Sequence, residues 1–169
     1  MTQSVLISGG GIVGSYLGLE LAARNIPFQI IEKSHPKPSP IDHIRTLTLN
    51  LSAFERLNAL DVKTSAASIQ TMNVLDGVGT GQLVFSAQDA NLDYLAKVLS
   101  FNALKEALSN KVVDSTTAGK YIVSFSSTGS GVEAVLSDGS DLKADLLVIA
   151  EGRNSELAQS IGSKNFDKD

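Results

Sequence analysis

Val5-Leu6-Ile7-Ser8-Gly9-Gly10-Gly11-Ile12-Val13-Gly14 is the stretch that decides the fold. An apolar, β-branched run stopping at a glycine cluster reads as a buried strand that ends in a tight turn. Beyond the turn, from Ile12 to Arg24, the apolar residues Val13, Leu17 and Leu21 recur every four positions. Gly14 and Gly18 share an adjacent stripe with no side chain to hold a helix off its neighbours. Asn25 and Pro27 end that helix, and Phe28 to Ile31 forms a second apolar run. Strand, helix and strand within about thirty residues make the unit that yields a parallel sheet.

The turn fits the GxGxxG pattern, with Gly9, Gly11 and Gly14 in its fixed places. Gly9 permits the turn, Gly11 lets a pyrophosphate approach the backbone, and Gly14 lets the helix lie close on the sheet. The N–H groups of Gly11, Ile12 and Val13 are expected to point at a diphosphate from the positive end of the helix dipole. Glu32 follows 18 residues after Gly14, at the end of the next strand, where a carboxylate accepts hydrogen bonds from a ribose 2′-OH. Lys33, beside it, joins the candidate cofactor-binding set. A carboxylate repels a 2′-phosphate, which disfavours NADP here and leaves FAD and NAD.

Further along, three of the chain's four prolines, at positions 36, 38 and 40, deny regular structure to Lys33 to Ile44. Leu51, Phe54, Leu57 and Leu60 mark a helix. Ser68 to Leu75 and Gln82 to Phe85 read as strands around the turn Asp76-Gly77-Val78-Gly79-Thr80-Gly81. A further helix is expected through Leu99, Ala103, Leu104, Ala107 and Leu108. The period then becomes two: Tyr121, Val123 and Phe125 alternate, as do Val132 and Ala134 to Leu136, with turns at Thr128 to Gly131 and at Asp138-Gly139, the pattern of a β-meander. Leu146 to Ile149 is another buried-strand run, leading through Glu151-Gly152-Arg153-Asn154-Ser155 into a short helix.

The 169 residues, 43% of them hydrophobic, suit one well-packed domain and part of a second. A net charge of −4 with scattered basic residues gives no face for a phosphate backbone, so no nucleic-acid partner is expected. No apolar run is long enough to span a bilayer, and Met1 to Ser4 lacks the basic residues of a signal peptide; a cytoplasmic address is expected, with peripheral membrane contact left open. The absence of cysteine excludes disulfides, thiolate catalysis and cysteine-ligated metal clusters. His35 and His43, in or beside the proline loop, are expected to be solvent-exposed, and no metal site is assigned.

Two later segments choose between the nucleotides. Arg45-Thr46-Leu47-Thr48-Leu49-Asn50-Leu51-Ser52, with the run to Leu60-Asp61-Val62, is similar to the "R, two spacers, A-L-S, then a helix ending L-G-V" stretch of class A FAD-dependent aromatic monooxygenases. Asp145-Leu146-Leu147-Val148-Ile149-Ala150-Glu151-Gly152-Arg153-Asn154-Ser155 resembles that class's "D-L-L-V-G-A-D-G-R-x-S". With the N-terminal glycines, the resemblance covers nearly the whole chain in the family's order, and is closest to the hydroxylases of ubiquinone biosynthesis.

The resemblance implies an α/β fold: a Rossmann-like FAD/NAD(P)-binding domain with a parallel sheet, a β-meander and part of a substrate-side sheet. It implies one partial FAD-binding domain over 1–169, with 66–98 an inserted substrate-side β segment to which Met72 to Asp76 and Gln82 to Phe85 belong. Arg45 falls where the family's arginine contacts the flavin nucleotide, and Glu151 and Gly152 fall on its Asp-Gly pair, associated with FAD and the passing NAD(P)H. Glu151 replaces the family's aspartate, Ile149 its glycine and Ala158 its closing arginine, which puts weakened pyridine-nucleotide handling or an altered flavin pocket in play.

By the same resemblance FAD is the cofactor, NAD(P)H a transient co-substrate, and an aromatic small molecule such as a ubiquinone precursor the substrate hydroxylated with O₂. The cofactor performs the chemistry, so no residue is named as a catalytic acid or base. The family's second FAD motif, a Gly-Asp pair, is not found before Asp169, so a missing C-terminal half or a partner chain is expected to complete the site. A stand-alone FAD- or nucleotide-binding module without its own reaction, and an NAD-linked Rossmann oxidoreductase, are the alternative readings.

Overall fold

The computed structural model describes residues 4–35 and 45–162. The chain divides into two compact units, Met1–Lys37 with Leu108–Asp169, and Pro38–Ala107. In chain order the elements are β1 (Val5–Ser8), α1 (Ile12–Ala22), β2 (Phe28–Glu32), β3 (Thr46–Asn50), α2 (Leu51–Ala59), β4 (Ala66–Ile69), β5 (Thr71–Leu75) and β6 (Gln82–Ser86). They continue with β7 (Ala96–Ser100), α3 (Phe101–Lys111), β8 (Thr116–Ala118), β9 (Ile122–Thr128), β10 (Gly131–Leu136), β11 (Asp141–Ala144), β12 (Leu146–Ile149) and α4 (Glu156–Ser160).

In the first unit, β12, β1, β2 and β8 form a parallel sheet in that order. Alternation along its strands builds two cores. One face presents Leu6 and Ile31 to Ile122, Ala134 and Leu136 of the antiparallel β11-β10-β9 meander and to Leu157 of α4. The opposite face presents Ile7 and Ile30 to Val112 and to Leu17 and Leu21 of α1. The α/β architecture with parallel sheet and meander is therefore as the sequence implies.

The buried residues of α1 are Gly14, Ser15 and Gly18, whereas Val13 is 69% exposed. A four-residue spacing advances about 40° round the helix at each step, so the Val13-Leu17-Leu21 row drifts. Its far end turns toward the glycine stripe and its start turns away. The helix stops at Asn25, which holds a left-handed φ of +56° while Ile26 N donates to Leu21 O at 3.0 Å.

The meander corrects the alternation of Tyr121, Val123 and Phe125. Val135 pairs with Ser124 but Leu136 pairs with Ile122, so the ladder slips by one residue around Val123. Ile122 and Phe125 face the core, and Tyr121 and Val123 are exposed.

In the second unit, β3, β7 and β4 form an antiparallel sheet, and β5 and β6 pair as a separate hairpin. Asn50 caps α2 by accepting from Ala53 N at 2.9 Å. Two expectations are corrected. Leu99 lies in β7, paired with Leu47 and Ala66, and the helix starts only at Phe101. The strand read over Ser68 to Leu75 is interrupted at Gln70, so that β4 joins β7 while β5 joins β6. This second unit contains residues 66–98 and adds to them β3, α2, the end of β7 and the first part of α3.

Candidate functional site

The glycine turn leaves β1 at its C-terminal end, pinned from both neighbouring strands. Gly9 N donates to Ile31 O of β2 at 2.8 Å, and Ala150 N, just after β12, donates to Ser8 O at 2.7 Å. Gly9 has φ +105°, and a β-carbon there would stand 2.6 Å from Ala150 O, so both conformation and space demand glycine. At Gly14 the demand is spatial: an added β-carbon would lie 1.9 Å from Gly9 O.

Gly11 is different. It caps α1 in an extended conformation, and a β-carbon built on it meets nothing within 4 Å. Ser15 N makes the first intrahelical bond, to Gly11 O at 2.9 Å, so the amides of Ile12, Val13 and Gly14 precede the ladder and lack acceptors within the helix. The elbow is an open surface of backbone donors at the positive end of α1, a fit for a diphosphate.

Glu32, at the end of β2, turns toward this elbow. Its Oε2 accepts from Gly10 N at 2.6 Å and its Oε1 accepts from Ser34 N at 2.8 Å. The carboxylate thus sits one strand over from the open amides. Lys33 points elsewhere: its Nζ lies 4.9 Å from the centroid of the Tyr121 ring.

Glu151 and Gly152 follow β12. Glu151 Oε1 accepts from the buried Ser8 hydroxyl at 2.5 Å, and Oε2 accepts from the buried Ser155 hydroxyl at 2.6 Å. Ser155 Oγ in turn accepts from Ala158 N at 3.0 Å, capping α4. Gly152 turns the chain with φ +86°. The sequence reading missed Ser8 and Ser155. The signal was present: a serine closing an otherwise apolar buried strand needs an acceptor.

The structure therefore brings Gly9, Gly11, Ile12, Val13, Gly14, Glu32, Glu151 and Gly152 to the C-terminal ends of β1, β2 and β12. Arg45 belongs to the second unit; its guanidinium carbon lies 4.0 Å from the centroid of the Phe101 ring, and its carbonyl accepts from Phe101 N at 3.0 Å. His35 is exposed, with its ring against Gly119, and His43 lies outside the described residues. Among the described residues, no helix is long and apolar enough to cross a membrane.

The model of the FAD binding domain family matches residues 2–169. Among curated proteins, 3-demethoxyubiquinol 3-hydroxylase of Escherichia coli (strain K12) is 24% identical over 185 aligned positions, which cover 94% of this chain and 43% of that protein. Among solved structures, 2,6-dihydroxypyridine-3-hydroxylase from Arthrobacter nicotinovorans matches with a TM-score of 0.74 at 17% identity, covering 96% of this chain and 40% of that one. Klebsiella pneumoniae HpxO complexed with FAD and uric acid matches with a TM-score of 0.66 at 18% identity, covering 86% and 38%. At these identities the structural likenesses establish the fold. The chain spans 43% of the length of the curated relative it matches.

Proposed function

Since the chain belongs to the FAD binding domain family, we propose that it is the FAD-holding part of a monooxygenase that hydroxylates an aromatic substrate with NAD(P)H and O₂. The observation that carries the reading is the open elbow at Gly11, lined by the first amides of α1, with the Glu32 carboxylate one strand over. In this reading the amides of Gly11, Ile12 and Val13 hold the pyrophosphate, and Glu32 accepts from the ribose hydroxyls of the adenosine half. The backbone at Glu151 and Gly152 borders the same elbow. Arg45 keeps its place as a cofactor contact on the resemblance alone, and Lys33 only by its position beside Glu32.

When bound, the flavin supplies the electron and oxygen transfer. The chain's own residues bind and orient it, which is why a site without an acid–base pair is consistent with catalysis. A ubiquinone-type ring is the substrate class favoured by the sequence resemblance and by the hydroxylase relative. The β5–β6 hairpin and the β3-β7-β4 sheet of the second unit are the proposed substrate side.

Titration of the purified chain with FAD, followed by flavin fluorescence, tests the reading. Binding is expected for the unaltered chain and is expected to be abolished by Gly11→Val, which fills the elbow, and by Glu32→Lys, which removes the ribose acceptor. Unchanged affinity in both variants would refute the site, and retention of NAD with no flavin would favour an NAD-linked oxidoreductase. NAD(P)H oxidation stimulated by an aromatic substrate and coupled to a hydroxylated product tests the reaction.

A further inference from the structure

Of the buried serine hydroxyls at the elbow, Ser15 donates to Gly10 O at 3.1 Å, whereas Ser8 and Ser155, at 1% and 4% exposure, both donate to one carboxylate. Ser8 is the last residue of β1, pairs with Ile149, and immediately precedes the first glycine of the turn. Ser155 is the cap of α4. Glu151, which holds both, lies in the peptide that presses on Gly9: a β-carbon on Gly9 would stand 2.6 Å from Ala150 O and 2.9 Å from Glu151 N. Any shift of the Ala150–Glu151 peptide is therefore felt at Gly9 directly.

We infer that Glu151 is a positioning residue, whose carboxylate, bridged between Ser8 and Ser155, fixes the first glycine of the elbow and thereby sets affinity for the cofactor's diphosphate. The inference rests on the FAD reading for its ligand, although the clamp itself is a property of the chain alone. Each carboxylate oxygen accepts from one hydroxyl, so the side chain is held between the end of β1 and the start of α4. A glutamate also reaches further than the aspartate of the family's motif, by one methylene, which lets it span from β1 to the start of α4. Without the carboxylate, the Ser8 hydroxyl, 1% exposed, loses the acceptor that ties the end of β1 to the peptide after β12.

The test is a double-mutant cycle on the full chain, with Glu151→Ala, Ser8→Ala and the pair, read by FAD and ADP affinity and by amide hydrogen exchange without ligand. Glu151→Ala and Ser8→Ala are each expected to weaken FAD and ADP binding, the former by about tenfold, as when a buried hydroxyl loses its acceptor. The pair is expected to be no weaker than Glu151→Ala alone, because both act through one bond. Glu151→Gln, whose carbonyl and amide can still engage the two hydroxyls, is expected to recover most of the affinity. Exchange in the ligand-free protein is expected to quicken at residues 9–12 and 155–158 together in Glu151→Ala.

A direct charge contact with ligand predicts the reverse pattern, with Ser8→Ala neutral and Glu151→Gln as weak as Glu151→Ala, and would overturn the inference. A lowered melting temperature with unchanged affinity and unchanged exchange at 9–12 would overturn it as well. Coupled exchange in a protein that binds neither FAD nor ADP would support the clamp while removing the FAD reading.

Discussion

A β-carbon on Gly14 would stand 1.9 Å from the carbonyl oxygen of Gly9, so the first turn of α1 closes onto the turn that leaves β1 with no room for a methyl group. The contact is with backbone and cannot be relieved by a rotamer change. Gly14→Ala is expected to destabilise the fold by about 1–3 kcal/mol, the range for forcing extra carbon into packed structure. Gly11→Ala is its counterpart: Gly11 has φ −70° and open space, so alanine fits the folded chain and, by restricting the unfolded one, leaves stability unchanged or raises it by up to about 1 kcal/mol. Urea unfolding of the two variants checks the contrast. Equal losses would mean that the elbow is not open at Gly11.

Glu32 spends both oxygens on backbone donors, Gly10 N at 2.6 Å and Ser34 N at 2.8 Å. An amide in its place supplies one acceptor oxygen for two N–H groups. Glu32→Gln is therefore expected to lower stability by about 1 kcal/mol and Glu32→Ala by about 2 kcal/mol, in line with hydrogen bonds to a charged acceptor at a half-buried site. Affinity for FAD should fall in the same order. Chemical denaturation that finds both variants as stable as the unaltered chain would remove Glu32 from the elbow's support.

The strand-turn-helix around Gly9 to Gly14 was legible because its signals are local: an apolar run, a glycine turn and a helical stripe within reach of one another. So was β12 as a strand over Leu146–Ile149, although the burial expected of it is not found: Leu146 is 54% exposed and the other three are part-buried. What escaped was set by partners distant in sequence. β7 reads as the start of a helix, yet Leu99 is a strand residue because β3 and β4 flank it on both sides. β8 is three residues long and owes its existence to pairing with β2. The slip beside Val123, which reverses the facing of Tyr121 and Val123, is a property of the β9–β10 ladder and not of either strand alone. At the site, Glu32 and the glycines follow from spacing, whereas the bridge from Ser8 through Glu151 to Ser155 joins residues more than 140 positions apart by means of the sheet order.

The start of β1 is tied to the start of β12 by a carboxylate. Asp145 Oδ2 accepts from Ser4 N at 2.6 Å and from Ser4 Oγ at 3.1 Å, and the backbone bond leads in holding the carboxyl below its ordinary range. Asp138 is lowered too, chiefly by Lys120 and then by Ser140. A carboxyl that titrates lower in the folded chain than in the unfolded one stabilises fully above the unfolded value, about pH 4, and loses that contribution as pH falls through the folded value. Thermal melts of Asp145→Asn and the unaltered chain are expected to be separated at neutral pH and to converge between about pH 4 and pH 2, where the native carboxylate is protonated. A gap that stays constant across that interval would show that Asp145 contributes nothing through its charge.

The β5–β6 hairpin sets Met72 opposite Phe85 and Val74 opposite Leu83, which places four apolar side chains on one face of a two-stranded sheet. All four are exposed, from 39% at Met72 to 62% at Leu83. Asp76 is the one charged residue between Thr71 and Ser86, so neither edge carries the lysine or proline that keeps strands apart. An apolar face of this kind favours self-association. Replacing Leu83 and Phe85 with threonine keeps β propensity and removes half of the apolar face; it is expected to reduce light scattering at high protein concentration. Because neither side chain is buried in the folded chain, stability should change by no more than about 0.5 kcal/mol per substitution. Static light scattering and urea unfolding on the same samples separate the two effects. A large loss of stability would mean that these side chains are packed, and unchanged scattering would mean that association runs through another surface.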